Sequence, residues 1–145
     1  MSAKKVEKQV PGFRFVQRVG DIIEYTLETN GLRVLLKEDD STPTATLMVT
    51  YHVGSRNEVL GTTGSTHILE HLLFKGSEHF NKEKGNNIDY IFDGIGAHAN
   101  ATTWLDRTNY YELIPSVHLP LAIAIEADRM RGAIFNDQNL ASEMT

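Results

Sequence analysis

Residues 64–76 read Gly-Ser-Thr-His-Ile-Leu-Glu-His-Leu-Leu-Phe-Lys-Gly. Ser65 is expected to cap a helix running from Thr66 to about Lys75, with Gly76 as its C-terminal stop. On such a helix His67 and His71 stand four residues apart on one face, so both imidazoles can reach the same ion. Glu70, three after His67 and one before His71, lies beside that ion, where a carboxylate can act as base. Zinc accepts two imidazoles and a carboxylate and keeps a fourth position for water, whose pKa falls to roughly 7. The bland alternative is an amphipathic helix with exposed histidines. The flanks favour the chemical reading, because Leu72, Leu73 and Phe74 supply the apolar opposite face that such a site requires.

Composition narrows the function classes. With 145 residues, 41% hydrophobic and 23% charged, the chain is one ordinary domain or a piece of one. Lys and Arg number 14 against 19 Asp and Glu, a net charge of −5 and the wrong sign for a phosphate-backbone footprint. No nucleic-acid partner is expected. No apolar run approaches the length of a spanning helix, and Lys4 to Lys8 is too short and mixed for a lipid-binding patch, so no membrane partner is expected either. The absence of cysteine removes disulfides and thiolate metal sites, leaving His and carboxylates for any metal. It suits a reducing compartment and a periplasmic one equally. Met1-Ser2-Ala3-Lys4-Lys5 is basic like the start of a leader, but no apolar stretch follows. As written the sequence reads as cytoplasmic, with a periplasmic or secreted location left open should a leader have been removed.

Residues 1–12 read as a flexible arm ending at Pro11-Gly12, and the ordered part begins near Phe13. Two apolar-rich runs, Ile22 to Glu28 and Leu32 to Leu36, flank Thr29-Asn30-Gly31, a hairpin signal because Asn and Gly tolerate positive φ. Thr44 to Val53 alternates and reads as a third strand. A helix is expected over Asn87 to Phe92, ending at Gly94. Ala99 to Trp104 and Thr108 to Ile114 form a strand pair, with Pro115 ending the sheet segment. Leu119 to Met130 reads as a long amphipathic helix with Leu121, Ile125 and Met130 on its apolar face. Residues 137–145 open another helix, capped by Asp137 or Asn139, that the chain does not finish. We therefore expect an N-terminal fragment of a longer polypeptide.

A second motif lies at Gly96-Ala97-His98-Ala99-Asn100-Ala101-Thr102-Thr103, continued by Asp106-Arg107-Thr108-Asn109-Tyr110-Tyr111. Together with residues 64–76 it resembles the inverted-motif zinc peptidases of the pitrilysin, insulinase and mitochondrial processing peptidase type, over roughly residues 20 to 145. The resemblance implies an α+β fold, a mainly antiparallel sheet packed against helices, forming half of a pitrilysin-type domain whose C-terminal part is missing from residues 13–145. It implies a zinc-dependent endopeptidase for short or unfolded peptides, with His67 and His71 as Zn2+ ligands and Glu70 as general base. Asn100 and Ala101 would lie on an edge strand facing the cleft, to which a peptide substrate adds as an extra strand.

In that family the third ligand is a glutamate on a later helix, with another glutamate seven residues before it. Leu140-Ala141-Ser142-Glu143 resembles the setting of the earlier one, so Glu143 is carried over as an outer-shell carboxylate, direct ligation being the alternative. The ligand itself would fall beyond Thr145. A second half, in the same chain or a separate subunit, would close the chamber. The fragment alone is expected to be inactive. A non-catalytic scaffold or partner subunit, and a plain metal-binding domain, are the competing readings. His98 reads as a polar sheet-end residue, His52, His79 and His118 as solvated surface, and Trp104, Tyr110 and Tyr111 as sheet packing.

Overall fold

The computed structural model describes residues 9–144. They form two compact units, 9–42 and 43–144. Of the expected arm, residues 1–8 lie outside the described residues; Gln9 to Gly12 are exposed and lead into the first strand.

The first unit is a three-stranded antiparallel sheet, β1 (Phe13–Val19), β2 (Ile22–Leu27) and β3 (Arg33–Lys37), in the order β1-β2-β3. The β2–β3 hairpin follows the expected boundaries, but its turn differs. Only Gly31 takes a positive φ, at 77°. Asn30 instead spends its side chain, Oδ1 accepting the Leu32 N–H at 3.0 Å, and the Leu27 N–H donates across to the Leu32 carbonyl at 2.8 Å. Glu24 ties the three strands together, accepting from Gln17 Nε2 at 2.7 Å and Arg33 Nε at 2.9 Å. The Gln17 hydrogen bond, aided by Arg33 against the pull of burial, holds its carboxyl below the usual range.

The second unit carries the sheet β4 (Thr44–Tyr51), β5 (His98–Thr103) and β6 (Thr108–Pro115), in the order β4-β6-β5 and antiparallel throughout. The central strand β6 buries Thr108, Tyr110, Glu112 and Ile114, every second residue, as a strand covered on one face must. Helices α1 (Ser65–Leu72), α2 (Ile88–Ile95), α3 (Leu119–Gly132) and α4 (Asp137–Glu143) complete the unit. Its apolar core joins Ile88 and Phe92 of α2 to Ile125 of α3. This is the α+β arrangement of a mainly antiparallel sheet with helices that the sequence predicts. Among the described residues no helix is long and apolar enough to cross a membrane.

Several boundaries move. Helix α2 runs through Gly94 and stops at Gly96, whose N–H closes back on the Phe92 and Asp93 carbonyls. The cap of α4 is Asn136, its Oδ1 accepting the Asn139 N–H at 2.8 Å, rather than Asp137 or Asn139. Helix α3 buries Ala122, Ile125, Glu126 and Arg129, while Met130 is exposed. Two charged residues in the buried stripe hid its true face from an apolar count.

Candidate metal centre

Helix α1 starts one residue earlier and stops sooner than the sequence predicts. Gly64 is the N-cap, and Ser65 is already helical. The cap comes from the preceding loop, where Glu58 Oε2 accepts the Gly64 N–H at 2.8 Å and Oε1 accepts the Thr66 N–H at 2.9 Å. A carboxylate at a helix N-terminus satisfies free donors and meets the positive end of the dipole, and the hydrogen bonds from Thr66 and Gly64 hold Glu58 below the usual carboxylate range. After Leu72 the chain tightens, Phe74 N–H reaching His71 O and Lys75 N–H reaching Leu72 O, both at 3.0 Å. Gly76 then pairs with Asn81 as a β-bridge, which ends the helix before Lys75.

The exposed face of α1 presents His67 and His71 with their Nε2 atoms 3.2 Å apart. Two lone pairs that close repel unless a proton or cation lies between them. A tetrahedral zinc with bonds near 2.0–2.1 Å holds two nitrogens about 3.3 Å apart, so the pair fits a shared ion. Glu70 is buried, and one atom each of His67, Glu70 and His71 lie within 4.8 Å of one another. Among the described residues this is the one cluster of three metal-capable side chains. The Glu70 carboxylate is steadied by the Thr103 hydroxyl at the end of β5, which donates to Oε2.

Glu143, the last residue of α4, meets the other side of His71, its Oε2 lying 2.6 Å from Nδ1. A carboxylate there accepts a hydrogen bond from Nδ1–H, favouring the tautomer that leaves the Nε2 lone pair free. Lys75 Nζ occupies the second oxygen of the same carboxylate. Hydrogen bonds from Lys75 first and His71 second hold Glu143 below the usual carboxylate range.

Asn100 and Ala101 lie on β5, an edge strand of its sheet. Asn100 is exposed, and its Oδ1 accepts the Ala101 N–H at 2.7 Å. Beyond β5 an open cleft of about 450 Å³ lies beside His67, walled by Thr103, Trp104 and Leu105. Trp104 is 64% exposed and so is not sheet packing as expected. The loop that carries it is zipped to residues 54–56, Ser55 N–H donating to Trp104 O at 3.0 Å and Arg56 N–H to Leu105 O at 2.7 Å. Gly54 permits that approach, since a Cβ there would stand 2.7 Å from the Asp106 nitrogen.

The remaining histidines stay outside the cluster. His52 and His98 are exposed, His118 is half-buried, and His79 pairs with Asp128, Nδ1 to Oδ1 at 2.6 Å. Sequence reasoning gave no role to Glu58, Lys75 or Thr103. The signal for Lys75 was its place four residues beyond His71, which the helix expected from Thr66 to about Lys75 would put on the same face; the structure instead brings it there from the turn after α1. For Glu58 and Thr103 only the fold supplies the meeting.

The family model described as Insulinase (Peptidase family M16) matches residues 33–145. An uncharacterized zinc protease of Streptomyces coelicolor is 35% identical over 125 residues, which are 86% of this chain and 26% of that protein. Human cytochrome b-c1 complex subunit 1 is 31% identical over 141 residues, 93% of this chain and 28% of that protein. The chain thus spans about a quarter of the length of these curated relatives. The crystal structure of pitrilysin superposes with a TM-score of 0.76 at 24% identity, over 91% of this chain and 15% of that one, which shows the shared fold. With the model match extending from β3 through α4, the chain belongs to the insulinase family of peptidases.

Proposed function

We propose that this chain carries the zinc-binding half of a metalloendopeptidase acting on short or unfolded peptides. One observation carries the reading: the imidazole nitrogens of His67 and His71 converge at 3.2 Å with the Glu70 carboxylate beside them, next to the β5 edge, which no strand covers among the described residues. His67 and His71 hold zinc, which when bound polarises the scissile carbonyl and acidifies a water. Glu70, kept in place by Thr103, takes the proton of the attacking water and passes it to the leaving amine. Glu143 orients His71 and fixes its tautomer. The β5 edge at Asn100 and Ala101 receives the peptide as an added strand, so backbone shape is read before side chains. The third protein ligand and a second, similar half come from outside residues 1–145, in the same polypeptide or a partner subunit.

Replacing Glu70 by Gln in the full-length protein tests this. The expected result is a fall in peptide turnover of about 10²–10⁴-fold, the usual worth of a general base, with zinc retained. Unchanged turnover overturns the assignment. Cleavage by residues 1–145 alone, abolished by EDTA, overturns the division of the site between this chain and others. The similarity to a cytochrome b-c1 subunit favours a second reading, a partner subunit without turnover. Absence of peptidase activity in a zinc-loaded full-length protein selects it.

A further inference from the structure

We infer that Lys75 is a positioning residue of the metal centre, clamping the free oxygen of Glu143 so that the other oxygen stays aligned on the His71 ring; this rests on the zinc-centre reading above. A carboxylate held at one oxygen can still swing about its side-chain torsions. Glu143 is held at both, Oε2 by His71 Nδ1 at 2.6 Å and Oε1 by the Lys75 ammonium. Both donors belong to α1 and the turn that follows it, whereas the acceptor ends α4, a helix of 7 residues. The two-point contact therefore fixes an element too short to fix itself.

Lys75 offers its charge from a constrained backbone. Its N–H donates to Leu72 O at 3.0 Å, and the next residue, Gly76, is bridged to Asn81 and accepts from the Ile134 N–H at 3.0 Å. On the other side, the Phe74 ring packs on Tyr110 at 5.9 Å between centroids. The Lys75 side chain is 28% exposed and Glu143 only 14%, so the pair is partly shielded from water rather than a freely solvated surface bridge.

The sign of the effect separates this role from plain electrostatics. A cation near a zinc site repels the metal, so removing it should tighten binding if charge alone mattered. Loss of a clamp should weaken it. Zinc affinity of the full-length protein, measured by competition with a chromophoric chelator, decides the matter for wild type, Lys75→Met, Lys75→Arg, Glu143→Gln and the double variant Lys75→Met/Glu143→Gln.

Losing a direct outer-shell partner usually costs 10–100-fold in metal affinity, so one step further out we expect Lys75→Met to weaken zinc by about 3- to 10-fold. Lys75→Arg should restore affinity to within about twofold, and Lys75→Met should change nothing further once Glu143 is Gln, because the lysine acts through that carboxylate. Nitrogen-15 spectra of the metal-free protein give a second readout. His71 should be the Nδ1–H tautomer in wild type and a mixture in Lys75→Met. Equal or tighter zinc binding with an unchanged tautomer overturns the role of Lys75 and leaves the zinc centre standing. A wild-type protein that takes up no zinc overturns both.

Discussion

Two charge clusters in residues 43–144 share a plan and differ in wetness. Arg129 lies between Glu126 and Glu112, all three side chains at most 3% exposed. Lys75 and His71 meet on Glu143, with side-chain exposures of 28%, 47% and 14%. In the dry cluster the guanidinium lies over the Tyr110 ring at 4.2 Å and the Phe74 ring at 5.2 Å. Burial pushes the Glu112 carboxyl up to about 9, helped by the neighbouring Glu126 and opposed by Arg129. In the wet cluster the carboxylate stays ionised and ready to accept. The dry cluster locks the turn after α1 against α3 and β6, and the wet one leaves imidazole nitrogens open to a ligand. Water access separates charge packed into the fold from charge left open to solvent.

The sharpest way to break this contrast is Arg129→Met. It leaves two buried carboxyls without their cation, and such losses cost about 3–5 kcal/mol of unfolding free energy. Denaturant titration reads the value, and a loss below about 1 kcal/mol would mean the cluster is not dry. Glu112→Gln comes next. With a folded pKa of about 9 against an ordinary 4.5, the folded state keeps a proton that the unfolded state has lost. Stability therefore falls as pH rises through that window, by up to about 1.4 kcal/mol per pH unit, and is intact below it. Glu112→Gln should flatten that slope between pH 5 and 9, and parallel profiles for the two proteins would refute it. The smallest effect belongs to the wet side. Asn136→Ala removes the cap of α4 at about 1 kcal/mol, and hydrogen exchange should quicken in α4, which holds Glu143, more than in α1. Equal quickening in both helices would argue that α4 is not separately fragile.

How much of this was legible in the sequence follows from how far apart the partners lie. His67, Glu70 and His71 share one helix, so spacing alone placed them together. The β2–β3 hairpin was legible for the same local reason. Strand β1 was not, because its pairing shifts register between Phe15 and Gln17 and the alternation of apolar residues fails there. Glu143 lies 72 residues from His71 and entered only through family resemblance. Glu58 carried no signal, since nothing local tells a carboxylate that caps a helix from one that faces water. Arg129 and Glu126 were missed because charge on a helix ordinarily marks the solvent side, and only the ring faces of Tyr110 and Phe74 make their burial tolerable.

The 72-residue span between His71 and Glu143 also sets a clock on biosynthesis. At ribosomal speeds of 5–20 residues per second, the imidazole pair emerges roughly 4 to 14 s before the acid that steadies it. On the proposed zinc-centre reading, a nascent chain in that interval would offer metal a looser pair of nitrogens, and the alignment of His71 waits for α4 to fold down.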